Sequence, residues 1–139
     1  MGNKRNEVLS NEHGRMNESD LFNYLKDRYF PDLEKAKDVM SKYDCYSSEY
    51  RTVMELKCRR THYEDLMLER IKYDYLSSLD CRSLYINSTP KGVFSFDIAD
   101  IKPIWIKDSI MPKNTDFDTS SDRREKEYTL INISKAKRI

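Results

Sequence analysis

The stretch Tyr50-Arg51-Thr52-Val53-Met54-Glu55-Leu56-Lys57-Cys58 leaves this chain little freedom in how it folds. It contains no Gly or Pro, is rich in residues that suit a pleated surface, and alternates charge with hydrocarbon at its centre, so it reads as a β-strand. Successive side chains on a strand point to opposite faces. Glu55 and Lys57 therefore share one face, while Met54, Leu56 and Cys58 point into an apolar layer on the other. The preceding run Lys42-Tyr43-Asp44-Cys45-Tyr46 is also β-like, and Ser47-Ser48-Glu49 between the two is a turn. Together they form an antiparallel hairpin that brings Asp44 back beside Glu55.

Around this hairpin the pattern predicts an α/β fold, a mixed sheet flanked by helices. A helix begins at Asn17 or Ser19 as cap, carries Leu21, Phe22, Tyr24, Leu25 and Tyr29 at helical spacing, and ends at Pro31. Residues 32–39 are expected as a second helical piece, and residues 63–79 as a helix apolar on both sides. Residues 83–87 and 93–98 form a second hairpin across Thr89-Pro90-Lys91-Gly92. A long loop is expected over 106–122, followed by a final strand over 128–133. Residues 1–16, polar and poor in apolar groups, read as a flexible N-terminal arm, and residues 17–139 as a single domain.

Composition narrows the function classes. Ten Tyr, five Phe and one Trp supply the bulk of a core that a disordered chain lacks. The net charge of +1 gives no global field to draw nucleic acid, so any basic surface must be local. Three cysteines, Cys45, Cys58 and Cys81, are odd in number and form no C-x-x-C pair, which argues against a disulfide framework or a zinc site and for a reducing cytoplasm. With no apolar h-region at the start and no run of 18 apolar residues, neither a secretory signal nor a membrane span is expected.

Two carboxylates and an ammonium gathered on one sheet face suit phosphodiester hydrolysis. That reaction needs hydroxide at neutral pH and compensation for charge growing on the phosphoryl oxygens, and carboxylate-held Mg²⁺ or Mn²⁺ supplies both. Asp44 and Glu55 are the hard oxygen ligands, the Leu56 carbonyl is a further donor, and Lys57 orients the attacking water.

Asp44, ten intervening residues, then Glu55-Leu56-Lys57 at the end of an apolar strand resembles the PD-(D/E)XK nuclease superfamily, with Tyr43 standing where that pattern has its Pro. The resemblance covers roughly residues 17–90. It implies the restriction-endonuclease-like αβββαβ core and a metal-dependent DNA endonuclease, of branched-DNA or junction type among the options. It also implies a carboxylate from the first helix at the metal, Glu18 or alternatively Asp20. A helix after the motif often bears Gln and Tyr four apart, and Glu69 and Tyr73 have that spacing here, with Lys72 between them. Glu69, Lys72 and Tyr73 are thus candidates for holding water or phosphate, and Arg59, Arg60 and His62 for lining the DNA path. Small members of the superfamily often pair as homodimers, and the compact size resembles phage nucleases, which act in the host cytoplasm.

Plainer readings stand beside these. A lone E-x-K is commonly a solvated strand face, Glu18 a first-turn carboxylate favoured by the helix dipole, and Trp105 a core residue. The alternative function is a nucleic-acid-binding or structural module that keeps the fold without the chemistry.

Overall fold

A computed structural model of the protein describes residues 16–38, 41–109 and 125–139. The expected N-terminal arm, apart from Met16, and most of the expected 106–122 loop lie outside the described residues.

Helix α1 spans Glu18–Arg28. Asn17 caps it by accepting the Asp20 N–H at 2.8 Å, while the Asp20 carboxylate accepts the Asn17 N–H at 3.1 Å, a reciprocal capping box. An eleven-residue helix is marginal alone, so its hold comes from packing: Leu21, Phe22 and Leu25 are buried on one face. At the other end, the Lys26 ammonium bonds the Pro31 and Leu33 carbonyls, where Pro31 has stopped the helix.

Nine strands follow α1 among the described residues. Strands β1 (Glu34–Lys35), β2 (Cys45–Ser47), β3 (Thr52–Cys58), β5 (Arg82–Thr89), β6 (Gly92–Asp97) and β9 (Lys137–Arg138) make one sheet in the order β1-β2-β3-β5-β6-β9. Among the described residues only β3 and β5 pair in parallel, so the sheet is mixed. The crossover between them holds β4 (Asp65–Glu69) and helix α2 (Arg70–Ser78). Strand β4 joins β8 (Glu125–Asn132) and β7 (Ile106–Ser109) in a second, antiparallel sheet ordered β4-β8-β7.

The alternation read in β3 organises both faces of the large sheet. Met54, Leu56, Leu84, Ile86 and Val93 pack with Cys45 against Leu21, Phe22 and Leu25 of α1. On the opposite face, Val53, Tyr85, Phe94 and Phe96 pack against Leu66 and Leu68 of β4, Leu76 of α2 and Ile131 of β8. Strand β5 is central and covered on both faces, and accordingly every residue from Ser83 to Thr89 is buried. The β5–β6 turn needs its glycine. Gly92 has φ +137°, and a Cβ there would stand 2.7 Å from Nε of Arg138, whose guanidinium bonds the Lys91 carbonyl.

Four expectations are corrected. Residues 34–35 of the supposed second helix form strand β1, held by pairing to Tyr46 and Cys45 and by the Ala36 N–H donating to the Asp44 carbonyl. The supposed helix over 63–79 is a strand followed by a helix. Leu66 and Leu68 point inward while Met67 between them is exposed, and that exposed apolar residue makes a period-two pattern look like a helix apolar all round. Within the expected loop, Ile106–Ser109 pairs with β8 as β7. The last strand begins at Glu125 and ends at Asn132, three residues earlier than expected at its start. Among the described residues, no helix is long and apolar enough to cross a membrane.

Candidate active site

The β2–β3 register puts Cys45 opposite Met54, and Asp44, the residue before it, lies at the mouth of the hairpin, near enough for its charge to act on Glu55. Asp44 is fixed there from two directions. Its N–H donates to the Met54 carbonyl, and its Oδ2 accepts the Leu56 N–H at 2.7 Å, supplying an acceptor where backbone pairing has stopped. Asp32 braces the other end of the hairpin, its carboxylate accepting from the Ser47 hydroxyl at 2.6 Å and the Glu49 N–H at 2.8 Å. Those two donors hold the Asp32 carboxyl below its usual range.

Glu55 is nearly buried, which is unusual for a carboxylate in the middle of a strand. Burial pushes its pKa up, and the nearby charges of Asp44 and Glu18 add to the rise, against the opposing pull of Lys72. The partner that makes this placement tolerable is Lys72, whose ammonium contacts Glu55 Oε2. Lys72 lies one turn before Leu76, the buried residue of α2, so both share the helix face laid on the sheet.

Lys57, two residues beyond Glu55, is exposed on the same face. With Glu55, Arg59, Met67, Glu69, Lys72 and Tyr85 it lines a cavity of about 100 Å³. Arg59 is held rigidly in that wall. Its Nε donates to Asn87 Oδ1 at 2.6 Å, and Nη2 donates to the Met67 carbonyl at 3.0 Å and the Tyr85 hydroxyl at 3.1 Å. Tyr85 in turn donates to the Met67 carbonyl, and its burial raises its pKa. The parallel register sets Glu55 beside Tyr85 and Lys57 beside Asn87.

The expected site residues thus divide. Asp44 is near enough for its charge to act on Glu55, and Lys57 lines one cavity with Glu55, with Leu56 contributing the N–H that fixes Asp44. Glu18, at the start of α1, is near enough for the charge of Asp44 to join burial in raising its pKa, whereas Asp20 is engaged in the helix cap. Arg59, Glu69 and Lys72 line the cavity. Glu69 and Tyr73 do not share a helix face as expected, because Glu69 ends β4 and precedes α2. Glu69 reaches Lys126 at 3.4 Å, and Tyr73 packs edge-on against Trp105, whose ring also carries the Arg70 guanidinium. Arg60 is exposed outside the cavity lining. His62 packs on Phe94 and shares a hydrogen bond with Thr89 Oγ1.

Tyr85 and Asn87 were not singled out in the sequence. Their alternation with Leu84 and Ile86 was legible, but their position beside Glu55 and Lys57 depends on a parallel pairing between strands 30 residues apart.

The donor chemistry fits a hard divalent cation. Among the described residues, no three His, Cys, Asp or Glu side chains cluster closely enough to hold one metal ion. Mg²⁺, however, is ordinarily bound through one or two carboxylates completed by water and substrate phosphate, and Asp44 with Glu55 is a pair of that kind. The chain matches no family model, no curated protein and no solved structure.

Proposed function

We propose that the chain is a divalent-metal-dependent DNA endonuclease with a PD-(D/E)XK-type site. The observation that carries the reading is the approach of Asp44, held by the Met54 carbonyl and the Leu56 N–H just before β2, to Glu55 on β3, close enough for its charge to act on Glu55, with Lys57 two residues on and on the Glu55 face. Further support is the element order: α1, the antiparallel strands β1, β2 and β3, then α2, and β5 returning parallel to β3. With β4 set aside, that order is similar to the αβββαβ order that the resemblance to the superfamily implies, and α1 and α2 cover opposite faces of the sheet.

Bound by Asp44 and Glu55, with Glu18 as a third carboxylate at longer range, Mg²⁺ or Mn²⁺ would ease hydroxide formation and offset charge on the phosphoryl oxygens. Lys57, exposed at the cavity rim, orients the attacking water and stabilises charge on the scissile phosphate. Arg59 presents a preorganised guanidinium to the backbone, since three hydrogen bonds already hold it. Leu56 keeps the Asp44 carboxylate aimed through its N–H. A homodimer would offer two such sites to two strands.

The test is incubation of the purified chain with supercoiled, linear, single-stranded and four-way-junction DNA, in Mg²⁺, Mn²⁺ or EDTA, beside Lys57→Ala. Cleavage that requires metal and falls on the order of 10²-fold or more in the variant is the expected result. A folded protein that cuts none of these in metal overturns the nuclease reading in favour of the non-catalytic alternative, a nucleic-acid-binding or structural module.

A further inference from the structure

We propose that Lys72 is a resident counter-cation of the carboxylate site, one that neutralises Glu55 before a divalent ion is bound and yields its place when one binds. The inference rests on the reading of Asp44 and Glu55 as metal-holding carboxylates.

The two partners of this ion pair are unequally free. The Glu55 side chain is 8% exposed, fixed in the middle of β3, with Asp44 and Glu18 adding like charge nearby. In its charged form a carboxylate so placed needs a cation beside it, because an uncompensated buried charge is strongly destabilising. The Lys72 side chain is 44% exposed and sits on a flexible four-carbon stem, so it has a solvent-facing way out that Glu55 lacks. Nothing else among the described residues forms an ion pair with Glu55: Lys57 is exposed, and Arg59 is held by Asn87, Met67 and Tyr85. Lys72 and an incoming cation therefore compete for one carboxylate.

Released, the ammonium does not travel far. Lys72 lines the same cavity as Lys57 and Arg59, so an ammonium freed from Glu55 adds a third positive group where a phosphate would lie. This gives Lys72 two successive tasks on one stem: holding the empty site in shape, then gripping the substrate backbone. A pair that served only to dock α2 on the sheet would predict the opposite response to metal, since removing it would loosen the site and weaken binding.

The experiment uses the full chain and Mn²⁺ as probe. Calorimetric titration compares the wild type with Lys72→Met, Lys72→Arg and Glu55→Gln, each first checked by thermal melting. Expected are measurable binding by the wild type, about tenfold tighter binding by Lys72→Met (about 1.4 kcal/mol), wild-type-like affinity in Lys72→Arg, and loss in Glu55→Gln. Unchanged or weaker binding by a folded Lys72→Met overturns the inference while the wild type's own binding leaves the metal-site reading intact. Absence of Mn²⁺ binding by the wild type overturns that reading and this inference with it. If Lys72→Met does not fold, acylation of Lys72 in the wild type, followed by mass spectrometry, decides the matter. A rate that rises on adding Mn²⁺ supports displacement, and a rate that stays level or falls refutes it.

Discussion

Asp44 has two separable duties, and replacing it in two ways pulls them apart. Its Oδ2 accepts the N–H of buried Leu56 at 2.7 Å, and its charge bears on both Glu55 and Glu18. Asp44→Ala leaves that N–H without its partner, and a hydrogen bond to a charged group contributes about 1.5–3 kcal/mol. Relief of like-charge repulsion on Glu55 and Glu18 offsets part of this, so the net loss should be about 1–2 kcal/mol. For a domain of this size that lowers the melting temperature by roughly 3–8 °C. Asp44→Asn keeps an acceptor oxygen at the same reach and removes only the charge, so it should melt within about 1 kcal/mol of the wild type. Both variants should lose metal-dependent cleavage on the order of 10²-fold or more. Circular-dichroism melts and plasmid nicking in one Mg²⁺ buffer read the two duties side by side. An Asp44→Ala chain that melts like the wild type would refute the hydrogen-bond argument. Wild-type nicking by Asp44→Asn would reduce Asp44 to a strand cap and remove it from the catalytic assignment.

Three further outcomes follow from the geometry. Burial first, and neighbouring carboxylates second, raise the folded-state pKa values of Glu55 and Glu18, so the folded chain binds protons more readily than the unfolded one. Their contribution to stability is therefore fully present below the ordinary carboxyl value and is lost as pH rises through the raised values. Melting temperature followed upward from about pH 4 should decline less steeply in Glu55→Gln than in the wild type, and equal slopes would contradict the assignment. Leu68→Ala, at a fully buried position, should cost about 2–5 kcal/mol, whereas Met67→Ala on the exposed side of β4 should cost less than about 1 kcal/mol. Similar losses from both in urea denaturation would argue for a helix at this segment in place of a strand. Gly92→Ala forces a side chain into φ +137° beside Arg138 and should lower stability by about 1–3 kcal/mol, an effect that an unchanged urea midpoint would exclude.

The legible parts of this molecule were those governed by interactions between near neighbours in sequence. Asn17 and Asp20 specify the start of α1, Pro31 its end, and the alternation of Val53 to Cys58 both the strand and the sharing of one face by Glu55 and Lys57. Turn chemistry at Ser47 to Glu49 and at Thr89 to Gly92 specified two hairpins, and with the first of them the approach of Asp44 to Glu55. Other features depended on distant partners. Residues 34–35 are a strand because β2 offers them an edge, and Leu66 with Leu68 form a strand because β8 pairs there across more than 60 residues. The same holds for the site. Local pattern put three charged groups within reach of one another, but only the parallel return of β5 brought Tyr85 and Asn87 beside them, and only the seating of Leu76 turned Lys72 onto Glu55. The physical reason is that backbone propensity and side-chain alternation act over a few residues, whereas which buried charge meets which counter-ion is decided by apolar surfaces that find one another only in the folded chain.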